Sequence, residues 1–312
     1  MGEEENDEIV TEEMLWERIP ETNGLERANT YYELSARIYA RGQYDEALAL
    51  AESARDIYTE IGSNNAAEEL AQAYSAIGYN LNQLKRIDEA ATAMSKAVDL
   101  LRKSKSPIAL ELACTLGEWW YSSKKYEKVV ETMNECAQEH LVDGNDLGAA
   151  SDLHLIGCAY RELKNYQAAI EAFEEARGLY KKHKEVLHVA RCDQKIASCY
   201  NKLGDGEQAL DKARAALDVF ETAHDHRRQV ITLFEFSKAL ELMGDHEDAL
   251  ATLDQVLTTA SEEEPRDFEF IVDIESEIAA ILRKVGREDE ALEIERRLGS
   301  VRSILADEES AE

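Results

Sequence analysis

Between Leu153 and Ala176 the apolar residues fall at spacings of three and four, the period of one helix face, and a polar turn interrupts them once. Leu153, Ile156, Gly157 and Tyr160 make the face of a first helix, and Ala169, Phe173 and Ala176 that of a second. Small residues at 157 and 169 allow two helix backbones to approach, while Tyr160 and Phe173 fill the space beside them. Such a hairpin cannot bury both of its apolar faces alone and requires neighbours of its own kind.

The chain supplies them. The small residue that opens the second helix recurs at Ala47, Ala90, Val129, Ala169, Ala209, Ala249 and Ala291, at intervals of 43, 39, 40, 40, 40 and 42 residues. Seven positions later stand Ala54, Ala97, Cys136, Ala176, Ala216, Val256 and Leu298. Twelve positions before the marker every residue is small: Ser35, Gly78, Gly117, Gly157, Ala197, Ser237 and Ala279. Nine before it every residue is large: Ile38, Leu81, Trp120, Tyr160, Tyr200, Leu240 and Leu282.

Turn chemistry confirms the phase. Gly42, Gly204, Gly244 and Gly286 sit where the first helix ends, a place that favours left-handed backbone. Asp45, Asp88, Asp205 and Asp245 lie at the start of the second helix, where a carboxylate suits the free N–H groups. Pro107 after Ser106 fits a capped helix start. Residues 1–22, with 9 Asp and Glu against one Arg, read as an acidic arm, disordered at its beginning, whose TEEMLWER segment caps the first repeat. Residues 23–305 hold the repeats, and 306–312 read as a disordered acidic tail.

This pattern resembles the tetratricopeptide repeat from about residue 25 to 305, best in the fourth copy through Leu153, Ile156, Gly157, Tyr160, Tyr166, Ala169, Phe173 and Ala176. The family's common unit is about 34 residues. The longer step here is similar to kinesin light chains, Pins-type adaptors and peptide receptors of the Rap and arbitrium kinds. Val129 and Cys136 replace alanines in the third copy, and Glu295 stands at an apolar position in the seventh, as an end cap facing water would require. The resemblance implies an all-α fold, a right-handed α-solenoid of seven tandem helix-turn-helix units, with the first helices lining a concave groove.

Composition agrees and narrows the function. With 3 Pro and 15 Gly in 312 residues, the chain suits nearly continuous helix. No apolar run is long enough to span a membrane, and the N-terminus has no secretory-signal pattern, so a soluble, cytoplasmic protein is expected. The five cysteines are odd in number and scattered through the helices, and read as reduced packing residues. A net charge of −30 opposes binding to nucleic acid and to anionic membranes.

Phosphate-binding, zinc-protease and nucleophile-elbow motifs are absent. Cys192 and Cys199 share one helix face without further ligands, so neither a metal site nor a cofactor is expected. His183, His188, His224 and His226 read as solvated, whereas His154 has a helical phase that points it away from the packing face. No constellation for catalysis emerges, and the expectation is a non-enzymatic protein.

Carried over from the resemblance, ligand-facing positions of the first helices include Tyr32, Tyr39, Tyr79, Asn82 and Tyr121 in the N-terminal half. Farther on they include His154, Cys158, Arg161, Arg191, Gln194, Lys195, Asn201, Lys202, Phe234 and Lys238. The first group is aromatic, of a type enriched at binding hot spots. The second contains a basic stripe: residues 161–202 carry 9 Lys and Arg against 6 Asp and Glu. Either these charges are solvated or paired, or they form a groove for a protein or peptide ligand with an acidic segment.

The leading reading is an adaptor that holds such a ligand. A peptide-sensing or partner-sequestering regulator, like the Rap and arbitrium receptors but without a DNA-binding module, is the second. An acidic decoy of a nucleic-acid-binding protein is the third. The acidic arm could also fold back on the basic stripe as an autoinhibitor.

Overall fold

A computed structural model describes residues 11–62, 66–262 and 268–309. Among them are fifteen helices and no strand. The chain divides into two compact units, Met1–Asn145 and Asp146–Glu312.

The first unit opens with α1 (Glu12–Glu21) and continues with three hairpins. These are α2 (Gly24–Ala40) with α3 (Tyr44–Ile61), α4 (Ala67–Gln83) with α5 (Ile87–Lys103), and α6 (Ile108–Ser122) with α7 (Tyr126–Val142). The second unit holds four. They are α8 (Asp146–Glu162) with α9 (Tyr166–Lys182), α10 (Val186–Leu203) with α11 (Gly206–Thr222), α12 (His226–Met243) with α13 (His246–Glu262), and α14 (Phe268–Lys284) with α15 (Glu288–Glu309). Within each unit a helix packs mainly on its sequence neighbours. The first helices of consecutive hairpins also touch, as α2 does α4 and α10 does α12. This is the packing of an α-solenoid.

All seven markers, from Ala47 to Ala291, are fully buried. The small residue twelve positions earlier lies against the second helix. Ser35 Oγ donates to the Ala47 carbonyl at 2.7 Å. A Cβ on Gly78 would lie 3.2 Å from the Ala90 carbonyl oxygen, and one on Gly157 would lie 2.7 Å from the Phe173 ring. The carbonyl of the large residue, nine before the marker, closes every turn. Gln43 donates to Ile38, Arg86 to Leu81, Lys125 to Trp120, Asn165 to Tyr160, Asp205 to Tyr200, Asp245 to Leu240 and Arg287 to Leu282.

That turn requires a left-handed residue five before the marker. Gly42, Gly204, Gly244 and Gly286 provide it in four hairpins, with φ between 78° and 87°. In the other three a lysine takes the same conformation: Lys85 at 62°, Lys124 at 57° and Lys164 at 60°. Sequence alone marked only the glycines.

The cap expectations fare variously. Asp205 accepts from the Gln208 N–H at 3.2 Å as a side-chain cap. Pro107 takes helical backbone immediately ahead of α6, where its missing N–H costs nothing, but no side chain caps that helix. The α1 helix covers the first hairpin through Leu15, fully buried with Leu34, Ile38, Ala47 and Leu50. At the other end, Glu295 is half-exposed and pairs with Arg283 at 2.8 Å. The tail differs from expectation: α15 continues through Glu309, since Ala, Asp and Glu after Leu305 offer no helix breaker. The beginning of the acidic arm, residues 1–10, lies outside the described residues, as do 310–312.

Among the described residues no helix is long and apolar enough to cross a membrane.

Candidate binding surface on the first helices

In the first unit, a cleft of about 200 Å³ opens between α2 and α4. Tyr32, Tyr39 and Tyr79 wall it, and Ala36 and Ala76 lie between them. The tyrosines are held rather than loose. Tyr39 meets Tyr44 edge-on at 5.3 Å, and its hydroxyl accepts from Gln83 Nε2 at 3.2 Å. Tyr79 stands perpendicular to Trp119 at 5.6 Å. Burial raises the pKa of both Tyr32 and Tyr79, so both remain neutral donors. Asn82 is half-buried on α4, and Tyr121 on α6 stands edge-on to Tyr126 at 5.4 Å.

In the second unit the first helices carry cations. Arg161 on α8, Arg191 and Lys195 on α10 and Arg228 on α12 are all partly buried. Arg161 pairs with Glu162 at 2.8 Å and Arg228 with Asp225 at 3.2 Å, both acids of their own helix or its cap. Among the described residues, neither Arg191 nor Lys195 has a carboxylate within ion-pair distance. The Lys195 pKa is lowered by burial and then by the Arg161 charge, and that of Arg228 by burial and then by Arg191. The carboxylate of Glu235 acts on Lys195 in the opposite sense, and it is held in place by Ser198 Oγ, which donates to it at 2.9 Å, and by Asn201 Nδ2 at 2.8 Å.

His154 faces this group from α8. Its ring meets the edge of Phe173 at 5.3 Å, and its Nδ1 is 3.9 Å from the Cys158 sulfur. Its Nε2 is buried with no hydrogen-bond partner. Burial, reinforced by the charges of Arg191, Lys195 and Arg228, pulls its pKa down to about 4, so it is neutral near pH 7. A position read as turned away from the packing face is thus largely enclosed by it.

Two positions expected to face a ligand are committed elsewhere. Gln194 is buried and donates from Nε2 to Thr232 Oγ at 2.7 Å and to the Arg228 carbonyl at 3.3 Å, tying α10 to α12. Phe234 is buried against Phe270 at 5.3 Å, with Lys238 Nζ 3.9 Å above its ring. Their helical phase is right, but the next hairpin covers them. Lys202 is exposed at the end of α10, and Asn201 is half-buried on Glu235.

Arg228 lies outside the ligand-facing positions that the resemblance implies, of which the first named in this hairpin is Phe234. The basic run 226–228 at the start of α12 was the available signal. The histidines are also less free than expected: His183 Nε2 is 2.8 Å from Asp146, and His188 stacks on Tyr180 at 4.8 Å.

Among the described residues no cysteine forms a disulfide. Burial raises Cys199 to about 11 and Cys192 to about 12, which leaves both as inert packing groups at neutral pH.

The comparisons with known proteins follow the same register. Profiles described as tetratricopeptide repeat match residues 27–61, then 71–102 and 153–183, and then 189–262, together more than half of the chain. The hairpins outside these segments, α6–α7 and α14–α15, are those that carry Val129, Cys136 and Glu295.

Among solved structures, a signal-transduction ATPase with a tetratricopeptide repeat sensor from Pyrococcus horikoshii is 16% identical with a TM-score of 0.65. The match covers 95% of this chain and 45% of that one, so the chain spans less than half of that protein. The apo form of RapI is 15% identical with a TM-score of 0.56, over 90% of this chain and 99% of that one. A Rap protein complexed with Competence and Sporulation Factor is 15% identical with a TM-score of 0.52, over 95% and 97%. At these identities the likeness is one of fold. No curated protein matches in sequence. Seven hairpins in one register and matching profiles over more than half of the length establish that the chain belongs to the tetratricopeptide-repeat family.

Proposed function

We propose that this protein is a non-enzymatic scaffold whose first-helix surface holds a protein or peptide segment with an acidic portion. The observation that carries it is the pair Arg191 and Lys195, partly buried and without a carboxylate partner among the described residues, in a chain of net charge −30. Bringing like charges together on a partly desolvated surface is costly unless an anion offsets it. Of the nearby carboxylates, Glu162 pairs with Arg161 and Asp225 with Arg228, while Glu235 is held by Ser198 and Asn201 and acts on Lys195 only from beyond ion-pair distance. The tyrosine cleft in the first unit supplies a second kind of contact, amphipathic and fixed in place.

Selecting peptides from a random library against the wild-type chain and against a variant with Arg191→Glu and Lys195→Glu tests this reading. Wild type should enrich peptides containing Asp or Glu, and the variant should lose them while its helicity and melting temperature stay nearly unchanged. Equal enrichment by both would end the proposal.

The likeness over nearly the whole length to a Rap protein complexed with Competence and Sporulation Factor favours sensing as a second reading, in which a short peptide changes the hairpin packing. It predicts a change in small-angle scattering when a selected peptide is added, and an unchanged profile would discard it.

A further inference from the structure

The tyrosine cleft of the first unit has a counterpart in the chain's own repeat register. Tyr32 stands fifteen positions before the marker Ala47, and Phe234 stands fifteen before Ala249. Four residues on from each, about one helical turn, are Ala36 and Lys238. In the sixth hairpin the Lys238 ammonium lies 3.9 Å over the Phe234 ring. In the first, the exposed Ala36 leaves Tyr32 lining an open cleft, together with Tyr39 from the same helix and Tyr79 from α4.

The lining favours a cation. Ser35 Oγ donates to the Ala47 carbonyl at 2.7 Å, Ser75 Oγ to the Gln72 carbonyl at 2.8 Å and Asn80 Nδ2 to the Ala76 carbonyl at 2.8 Å. The polar floor is thus committed to backbone, and aromatic walls remain, whose ring faces carry negative partial charge. The field around them has the same sign. Helices α4 and α6 carry Glu68, Glu69, Glu111 and Glu118 and no lysine or arginine. Among the described residues none of these four has a cation within ion-pair distance. Burial, and after it the charge of Glu111, raises the Tyr79 pKa, so a negative field reaches the cleft wall.

The kind of cation follows from what the lining lacks. No carboxylate lines the cleft, so it cannot replace the hydration shell of a primary ammonium with charge-assisted hydrogen bonds. A quaternary ammonium is weakly hydrated, has no N–H to satisfy and is the cation that aromatic cages take. At about 200 Å³ the cleft is also smaller than the roughly 300 Å³ at which drug-sized ligand sites begin, and suits a single side-chain end.

We propose that Tyr32, Tyr39 and Tyr79 form a cage for the trimethyl-lysine side chain of a bound protein segment. This rests on the scaffold reading above and adds a second chemical requirement to the segment.

The test is an NMR titration of the full chain with a short alanine peptide whose central residue is trimethyl-lysine. Two control peptides carry at that position unmodified lysine and the tert-butyl isostere, in which carbon replaces nitrogen. The trimethyl-lysine peptide should bind saturably, shift the tyrosine ring signals and bind about tenfold more tightly than either control. Choline should bind more weakly than the peptide. Ala36→Lys, which supplies an ammonium from the chain itself as Lys238 does, should abolish binding without lowering the melting temperature. Tyr32→Leu should weaken binding about tenfold, and Tyr32→Phe, which keeps the ring, should retain most of it.

Equal binding of the tert-butyl isostere would show that the cleft selects apolar bulk and would overturn the cation. Equal binding of unmodified lysine would overturn the methylation, and choline as tight as the peptide would overturn the protein source. If no probe binds saturably, or if Ala36→Lys binds as wild type does, the cage is wrong. The peptide selection on Arg191 and Lys195 reads the second unit, so it decides the scaffold reading separately.

Discussion

Asp193 on α10 places Oδ1 2.8 Å from Arg177 Nε on α9, although the aspartate is only 3% exposed. Lys212 on α11 lies 3.5 Å from the same oxygen and also pairs with Glu174, so three consecutive helices share one ionic cluster. Burial raises the Asp193 pKa in spite of both cations. Removing one partner should therefore hurt more than replacing the pair. Arg177→Met is expected to destabilise the second unit by about 3 kcal/mol, read as a shift in the denaturation midpoint. Combining it with Asp193→Leu should recover most of that loss. A double variant as unstable as the single one would show that packing, rather than a buried charge left with Lys212 alone, dominates.

Gly157 on α8 faces the Phe173 ring of α9 without room for a side chain. An added Cβ would sit 2.7 Å from two Phe173 ring carbons, and the ring is fully buried with no room to retreat. Gly157→Ala is expected to cost about 1–3 kcal/mol. Gly78→Ala, where the nearest atoms are 3.1–3.2 Å away, should cost less. Thermal melts of the two variants order the sites.

Lys164 closes the turn between α8 and α9 at φ 60°, a conformation that disfavours any residue with a Cβ. Glycine occupies the equivalent place at Gly204, at φ 80°. Lys164→Gly should stabilise by about 1 kcal/mol, and Gly204→Ala should destabilise by a similar amount. Opposite shifts in the urea midpoint are the expected outcome. Two shifts of the same sign would contradict it.

The low His154 pKa also makes folding pH-dependent. The unfolded histidine titrates near 6.5 and the folded one at about 4, so between those values the unfolded chain binds more protons. Stability present above pH 6.5 is therefore lost as pH falls toward 4, by an amount on the order of 3 kcal/mol at most. A His154→Phe variant keeps a ring on Phe173 and removes the titration. Its melting temperature should fall less than that of wild type between pH 7 and pH 4.5, and parallel declines would refute the assignment.

The hairpins were readable because each is coded within a stretch of about 40 residues. Ser35 and Gly78 are small because a carbonyl of the partner helix, at Ala47 and Ala90, lies against them. Leu81 and Tyr160 recur as large residues whose carbonyls close the turn. Lys85, Lys124 and Lys164 escaped notice because their left-handed backbone is imposed by the turn's hydrogen bonds, against their own preference.

The first-helix surface was legible by phase and not by occupancy. Tyr32, Tyr39 and Tyr79 do meet around one cleft, because α2 and α4 touch. Gln194 and Phe234 have equally suitable phase, yet Thr232 and Phe270 of following hairpins take them up.

The sequence by itself determined the helices, their pairing and the residues between paired helices, since a fixed period and local turn bonds suffice for these. Tertiary structure decided which polar side chains remain uncommitted, because partners such as Thr232 for Gln194 and Glu235 for Ser198 stand 38 and 37 residues away and only hairpin stacking brings them close. It withdrew Gln194, added Arg228, and enclosed His154 beside cations from two other helices. Burial and the summed field of those neighbours, which no local pattern encodes, set its charge.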